Sequence, residues 1–183
     1  FASWRGQWDA QTIELSLRRD DNEQFDGATT GSFAWGWQAS DVLRLRASWG
    51  QGFRAPNFNE LYYPGFFGLF EGNPNLQPER SSSSELGLDW RLSPEQELGL
   101  SLYRTRIDDL IAFEGNDYQA INVNRAAIDG IELDYHLMRG GLTIDGNATW
   151  QSATDSTTGE RLLRRPDRKI NLSLGYRFDN QAT

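Results

Sequence analysis

At 183 residues and a formal net charge of −8, the chain is long enough for one domain with a sizeable core and too acidic to read as a nucleic-acid binder. It has no cysteine and one histidine, which excludes disulfides and thiolate metal sites and leaves no zinc-type ligand set. No apolar run approaches the ~20 residues of a transmembrane helix, yet aromatics reach 13% in a chain only 38% hydrophobic, an imbalance foreign to an ordinary soluble core.

From Trp8 the residues alternate. Ile13, Leu15 and Leu17 point one way and Thr12, Glu14, Ser16 and Arg18 the other, the period of two that predicts a strand. Arg19–Gly27 is a polar loop. Phe33, Trp35 and Trp37 share a face of the next strand, and after a turn at Ser40-Asp41 come Leu43, Leu45, Ala47 and Trp49. The alternation then stops for about thirty positions, Gly52–Ser84. Pro56, Pro64, Pro74 and Pro78 remove this stretch from any sheet ladder. Phe58, Tyr62, Tyr63, Phe66, Phe67 and Phe70 argue against disorder, which predicts a long, ordered loop carrying a recognition surface.

The same grammar resumes with Leu86, Leu88, Trp90 and Leu92, a turn at Ser93–Glu95, and a strand from Leu98 to about Phe113. A turn at Glu114–Asp117 leads into a long strand, Tyr118–Met138. Arg139–Gly141 turns into Leu142, Ile144, Ala148 and Trp150. A polar loop, Ala153–Pro166, precedes a final strand of Ile170, Leu172, Leu174, Tyr176 and Phe178. Long connections (19–27, 53–80, 114–117 the weakest, 153–166) alternate with short ones (40–41, 93–95, 139–141). In an antiparallel meander this puts elaborate loops on one rim and tight turns on the other. That predicts an all-β fold, an antiparallel transmembrane β-barrel segment with long extracellular loops and short periplasmic turns. Aromatics near strand ends (Trp37, Trp49, Trp90, Trp150, Tyr176, Phe178) read as interfacial girdles, with the apolar face turned to outer-membrane lipid and the polar face to a lumen. A soluble β-sandwich binding module is the rival that alternation alone leaves open.

GFRAPNFNELY (Gly52–Tyr62) with NPNLQPERS and the following ELGL resembles the barrel of TonB-dependent outer-membrane receptors. RRDDNEQFDG (Arg18–Gly27) and ERLLRRPDRK (Glu160–Lys169) are similar to segments of the vitamin B12 (cobalamin) receptor branch. The resemblance implies a barrel of about 22 strands closed by an N-terminal plug, of which residues 1–183 hold about nine strands. Phe1 starts mid-pattern and Thr183 stops just past a strand, so the plug and closing strands are expected outside this sequence. The implied partners are a corrinoid or other large chelate and TonB, reached through the plug. A ferric-siderophore receptor of the same fold is the nearest alternative. An outer-membrane barrel enzyme is a more distant one, for the single histidine has no nucleophile pattern around it. No chemistry on the substrate, no cofactor and no resident metal are expected.

The resemblance implies that the first arginine after the two leucines, Arg164, contacts the corrinoid, with Arg165 beside it. A guanidinium is a rigid fork of donors suited to amides and phosphodiesters. Tyr62, Tyr63, Phe66 and Phe67 are candidates to pack on a flat ligand, or else to fold the loop onto itself. Asp20, Asp21, Asn22, Glu23 and Asp26 cluster hard oxygens without a calcium-loop spacing and read as a solvated loop. His136, near Asp134 and Glu132, reads as a lumen residue in a hydrogen-bond network. The sequon at Asn147 lies mid-strand and is discounted.

Overall fold

The computed structural model describes residues 1–178; the expectation about Thr183 falls outside them. The chain folds into one sheet, antiparallel throughout, with its strands in sequence order. They are β1 (Ala2–Trp8), β2 (Gln11–Asp20), β3 (Ala28–Ser40), β4 (Leu43–Arg54), β5 (Glu79–Ser93), β6 (Gln96–Glu114), β7 (Gln119–Arg139), β8 (Leu142–Asp155) and β9 (Arg168–Tyr176). One short helix, α1 (Phe58–Tyr62), interrupts the connection between β4 and β5.

The predicted faces hold. Ile170, Ala148, Leu133, Leu100, Leu88, Leu45 and Trp37 stand side by side from β9 to β3. The neighbouring row, Asn171, Asn147, Asp134, Gly99, Asp89, Arg44 and Gln38, takes the opposite face. On the polar face Arg46 bonds Glu85, Asp89 (3.4 Å) and the buried Ser101 (2.8 Å). His136 Nδ1 lies 2.7 Å from Asp145. Asn147 donates to Glu132 and Asp134 at 2.7 and 2.8 Å, so the sequon asparagine is a lumen cross-link.

The apolar stripe runs slantwise. The row of Ile13, the lowest apolar residue of β2 on that face, passes through Trp35, Ala47, Leu86, Leu102, Ile131 and Trp150 to Arg168, already above the apolar stretch of β9. Its two edges, Ile170 to Leu17 and Tyr176 to Ile13, climb six and eight residues over seven strand steps. At ~3.3 Å per residue and ~4.8 Å per step this is a tilt of about 30–40°, close to the ~35–45° of transmembrane barrel strands. A level apolar band across tilted strands produces such a slant. A soluble sheet has no reason to.

The dry core sits elsewhere. Every buried apolar side chain among the described residues lies at the long-loop rim, while the stripe itself stays uncovered, with Leu86 62% exposed. Ten residues from Ala28 to Leu162 make up this small core, the last of them carried by the β8–β9 loop.

Three features differ from the sequence reading. The alternation around Trp8 is two strands, separated by a turn at Asp9 (φ 46°) and Ala10. The loop after β4 contains the helix α1. The connection between β6 and β7 is a tight turn, residues 115–118. That rim is elaborate because the two strands run on past the apolar stripe as a projecting hairpin. Midway up the hairpin Asp109 takes φ 56°, and Ile107 and Leu110, three residues apart, fall in one cluster. A regular strand would point them to opposite faces.

Candidate functional site

The residues of the FRAPNFNELY and NPNLQPE stretches interlock at the neck of the loop. Arg54 and Glu79 are ladder partners at the ends of β4 and β5. Arg54 reaches Glu79 through Nε (2.9 Å) and Nη2 (2.5 Å), and both Glu60 oxygens through Nη1 at 3.0 Å. Glu60 closes a capping box on α1: its N–H donates to Asn57 Oδ1 (2.9 Å) and its carboxylate accepts the Asn57 N–H (2.8 Å). The bond to Glu79 holds the Arg54 guanidinium above its usual pKa against the opposing pull of burial. For Glu79, burial pushes the carboxyl up. The bonds from Arg54 and the Ile111 N–H, with the charges of Arg54 and Arg165, outweigh it and leave the pKa below the usual carboxylate value.

Beyond the neck, Asn73 donates to the Ala120 carbonyl (3.1 Å), and its own N–H reaches the Glu60 carbonyl (2.7 Å). Gly72 must be glycine: an added Cβ would stand 2.7 Å from the backbone of Leu61, Tyr62 and Tyr63. Asn122 exchanges bonds with Gln77 (2.8 and 2.9 Å) and also donates to the Asp109 carbonyl at 2.7 Å, tying the loop to the hairpin at its kink.

Two small clusters then form on the hairpin. Leu61 and Leu76 pack with Ile111 and Ala120, against Phe25 and Phe113. Leu162 packs with Leu110, Val123, Ala126 and Ala153. Neighbouring hairpin residues, Leu110 and Ile111, thus hold the two candidate loops.

The predicted aromatic surface divides into pairs. Tyr62 packs edge-on to Phe58 (5.0 Å) and accepts a bond from Gln24 (2.9 Å). Phe66 packs edge-on to Phe67 (4.4 Å) at the loop tip, where Phe67 is 91% exposed. Phe70 stacks on Tyr118 (5.3 Å), a partner that sequence reasoning missed. Tyr63 is exposed at the end of α1. Spacing of four on a helix was the available signal for Phe58 and Tyr62.

Arg164 and Arg165 are exposed on the β8–β9 loop. Leu162 anchors that loop through its side chain and an N–H bond to the Ala153 carbonyl (2.9 Å), and the Pro166 carbonyl accepts from Gln151 (2.8 Å). Between these pins Arg164 adopts φ 59° and Leu163 is 65% exposed. Arg165 lies within electrostatic reach of Glu79, which brings it toward the neck of the aromatic loop. The acidic loop is already satisfied in part: Asp20 pairs with Arg18, Asp21 with Arg19, and Asn22 Oδ1 accepts the Gln24 and Phe25 N–H groups.

Residues 1–182 match the family described as TonB dependent receptor-like, beta-barrel. This chain belongs to the TonB-dependent receptor β-barrel family. It is accordingly a segment of a bacterial outer-membrane protein, in a family of receptors and transporters. A vitamin B12 transporter BtuB of Vibrio vulnificus is 36% identical over 172 residues, covering 92% of this chain and 27% of that protein. A vitamin B12 transporter BtuB of Photobacterium profundum is 33% identical, covering 90% and 27%. The chain therefore spans about a quarter of these relatives. The structure of a ferric enterobactin receptor from Pseudomonas aeruginosa superposes with a TM-score of 0.76 at 22% identity, covering 96% of this chain and 29% of that one. At that identity the likeness is one of fold.

Proposed function

We propose that these nine strands are part of the wall of a larger plugged barrel, a receptor that captures cobalamin at its long-loop rim and imports it with energy from TonB. The observation that carries the choice of ligand is the 36% identity to a vitamin B12 transporter over 92% of this chain. The structural neighbours, at 20–22% identity, speak for the fold and do not weigh between ligands. In this reading Arg164 reaches the corrinoid's amide and phosphodiester oxygens, Arg165 adds charge beside it, and Tyr62, Tyr63, Phe66 and Phe67 supply apolar contact. Chemical transformation has no part in it: binding at the rim leads to rearrangement of the plug. Titrating the full-length receptor with cyanocobalamin and with a panel of ferric siderophores tests the proposal. Tight binding of the corrinoid alone supports it, and binding of a siderophore with none of the corrinoid overturns it.

A further inference from the structure

The hairpin at the top of β6 and β7 supplies no ligand contact in the reading above, yet both candidate loops are built on it. Above the kink at Asp109 its two faces are occupied differently. Ile111 and Ala120 pack with Leu61 and Leu76 of the aromatic loop, whereas Leu110 and Val123 pack with Leu162 of the β8–β9 loop. Backbone bonds reinforce each side. The Phe70 N–H donates to the Asp117 carbonyl (2.8 Å), and the Ser156 N–H donates to the Arg125 carbonyl (2.8 Å). The hairpin is a strut standing between the two loops.

One side chain joins the aromatic loop to the kink. Asn122, the ladder partner of Ile111, accepts the Gln77 N–H on Oδ1 (2.8 Å). Its Nδ2 donates to the Gln77 carbonyl (2.9 Å) and to the Asp109 carbonyl (2.7 Å). Both amide hydrogens are therefore used, one on the loop and one on the kink. The bond to the kink matters for the other loop as well. Asp109 holds φ 56°, a sparsely populated conformation for a residue with a Cβ, which persists where its surroundings fix it. That kink brings Leu110 to the side of Ile107, and so onto Leu162.

We propose that Asn122 is a positioning residue of the ligand site. Through Gln77 it fixes the aromatic loop on the strut. Through Asp109 it fixes the direction of Leu110, and thus the seat of the β8–β9 loop that carries Arg164. This role rests on the reading that Arg164 and the aromatic residues grip one ligand, and adds that a residue outside both loops sets the gap between them beforehand. Aspartate of the same shape cannot replace the carboxamide. It keeps an acceptor for the Gln77 N–H but turns an oxygen toward both carbonyls, and so breaks both donations.

Two measurements on the full-length receptor test it. Spin labels at Phe67→Cys and Leu163→Cys, both exposed positions, report the separation of the loops without ligand. With Asn122 in place one narrow distance is expected, and with Asn122→Ala or Asn122→Asp a broad distribution. A second pair, Leu88→Cys with Leu172→Cys, is expected to keep its distance in each variant and so certifies the wall. Cyanocobalamin titration of the unlabelled Asn122 variants is expected to show binding about tenfold weaker, as when the competent arrangement falls to roughly a tenth of the population. A loss from general instability would add to that of Arg164→Ala. A positioning role requires Asn122→Ala to cost less, about two- to threefold, once Arg164 is gone. Unchanged loop distances overturn the proposal, as does unchanged affinity. Full additivity beside a real Arg164→Ala loss overturns it too, whereas Arg164→Ala without effect faults the earlier reading of that arginine. A receptor that binds a ferric siderophore instead sinks the choice of ligand, and the same distances and titrations with that siderophore then decide the role of Asn122.

Discussion

Replacing Arg54 by methionine keeps most of the side-chain volume and removes the cation held between Glu60 and Glu79. A hydrogen bond to a charged group contributes about 1.5–3 kcal/mol when shielded. The Arg54 side chain is 43% exposed, which reduces each bond, whereas Glu60 and Glu79 are 10% and 14% exposed and would lose their partner in a drier place. Glu60 keeps the Asn57 N–H, so the helix cap survives in part. The loop should therefore open more easily by about 2–3 kcal/mol, while the sheet, whose ladders are untouched, keeps its stability. The readout is amide exchange at Leu61, Tyr63, Gly72 and Asn73, whose N–H groups bond within the loop to Asn57, Asn59, Tyr63 and Glu60 carbonyls. In the full-length receptor these four should exchange about 30- to 100-fold faster, at ~1.4 kcal/mol per factor of ten, with amides of β5 unchanged. Wild-type exchange at all four would refute the idea that this ion cluster closes the loop.

The depressed Glu79 carboxyl predicts a pH dependence of the same amides. Its stabilisation is complete above the usual value of 4.5 and is lost as the pH falls through the depressed one, so exchange beyond its intrinsic pH trend should rise only below about pH 4.5. The Arg54→Met variant should lack that rise. Arg164→Ala should weaken cobalamin binding by the full receptor about 10- to 100-fold, with Arg164→Lys recovering part of it, because one charge-assisted bond at a partly desolvated site is worth about 1.5–3 kcal/mol; unchanged titration would return Arg164 to a solvated charge. Gly72→Ala should destabilise the loop by about 1–3 kcal/mol through overpacking against α1, visible as protease cleavage within 55–78 and absent if the backbone yields freely. Spin labels at Leu88, Leu100, Leu133 and Leu172 should be relaxed by oxygen, and labels at Asp89, Ser101, Asp134 and Ser173 by a polar reagent; the reverse pattern would invert the two faces.

The strands and their faces were legible because a period of two is a local property, and each row of the sheet repeats it: Leu43, Leu45 and Ala47 announce their side without reference to β5. The helix was less legible, since FNELY is only five residues, yet the Asn57–Glu60 capping box stood in the sequence as its signal. The kink at Asp109 was not. Nothing in RIDDLIAFE marks it beyond the tolerance of aspartate for a left-handed backbone, and the flip it causes is what brings Leu110 to the side of Ile107, and so to the cluster that holds Leu162. The aromatic stretch reads as one cluster along the chain, but in space it holds two pairs, Phe58–Tyr62 and Phe66–Phe67, while Phe70 stacks on Tyr118 from outside it; Phe67 and Phe70 take φ 52° and 60° and turn the backbone between them. The approach of Arg165 to Glu79 joins distant parts of the chain, and no local pattern encodes it.

Residues 55–78 leave the sheet and return to it through direct ladder partners, Arg54 and Glu79, so the ladder closes beneath this loop at one strand-spacing, and the loop's other ties run to the β6–β7 hairpin above the sheet. The loop's interior is invisible to the register of the strands. Doubling the length of a flexible insert costs only about 0.6 kcal/mol in closure entropy, and the tip at Phe66–Leu69 closes on itself through its own backbone bonds. The tip, residues 65–69, is thus an interchangeable cartridge, while Tyr62 and Phe70 on either side of it are tied to Gln24 and Tyr118. A chain built this way can exchange the tip of its outermost surface without renegotiating the wall that holds it in the membrane.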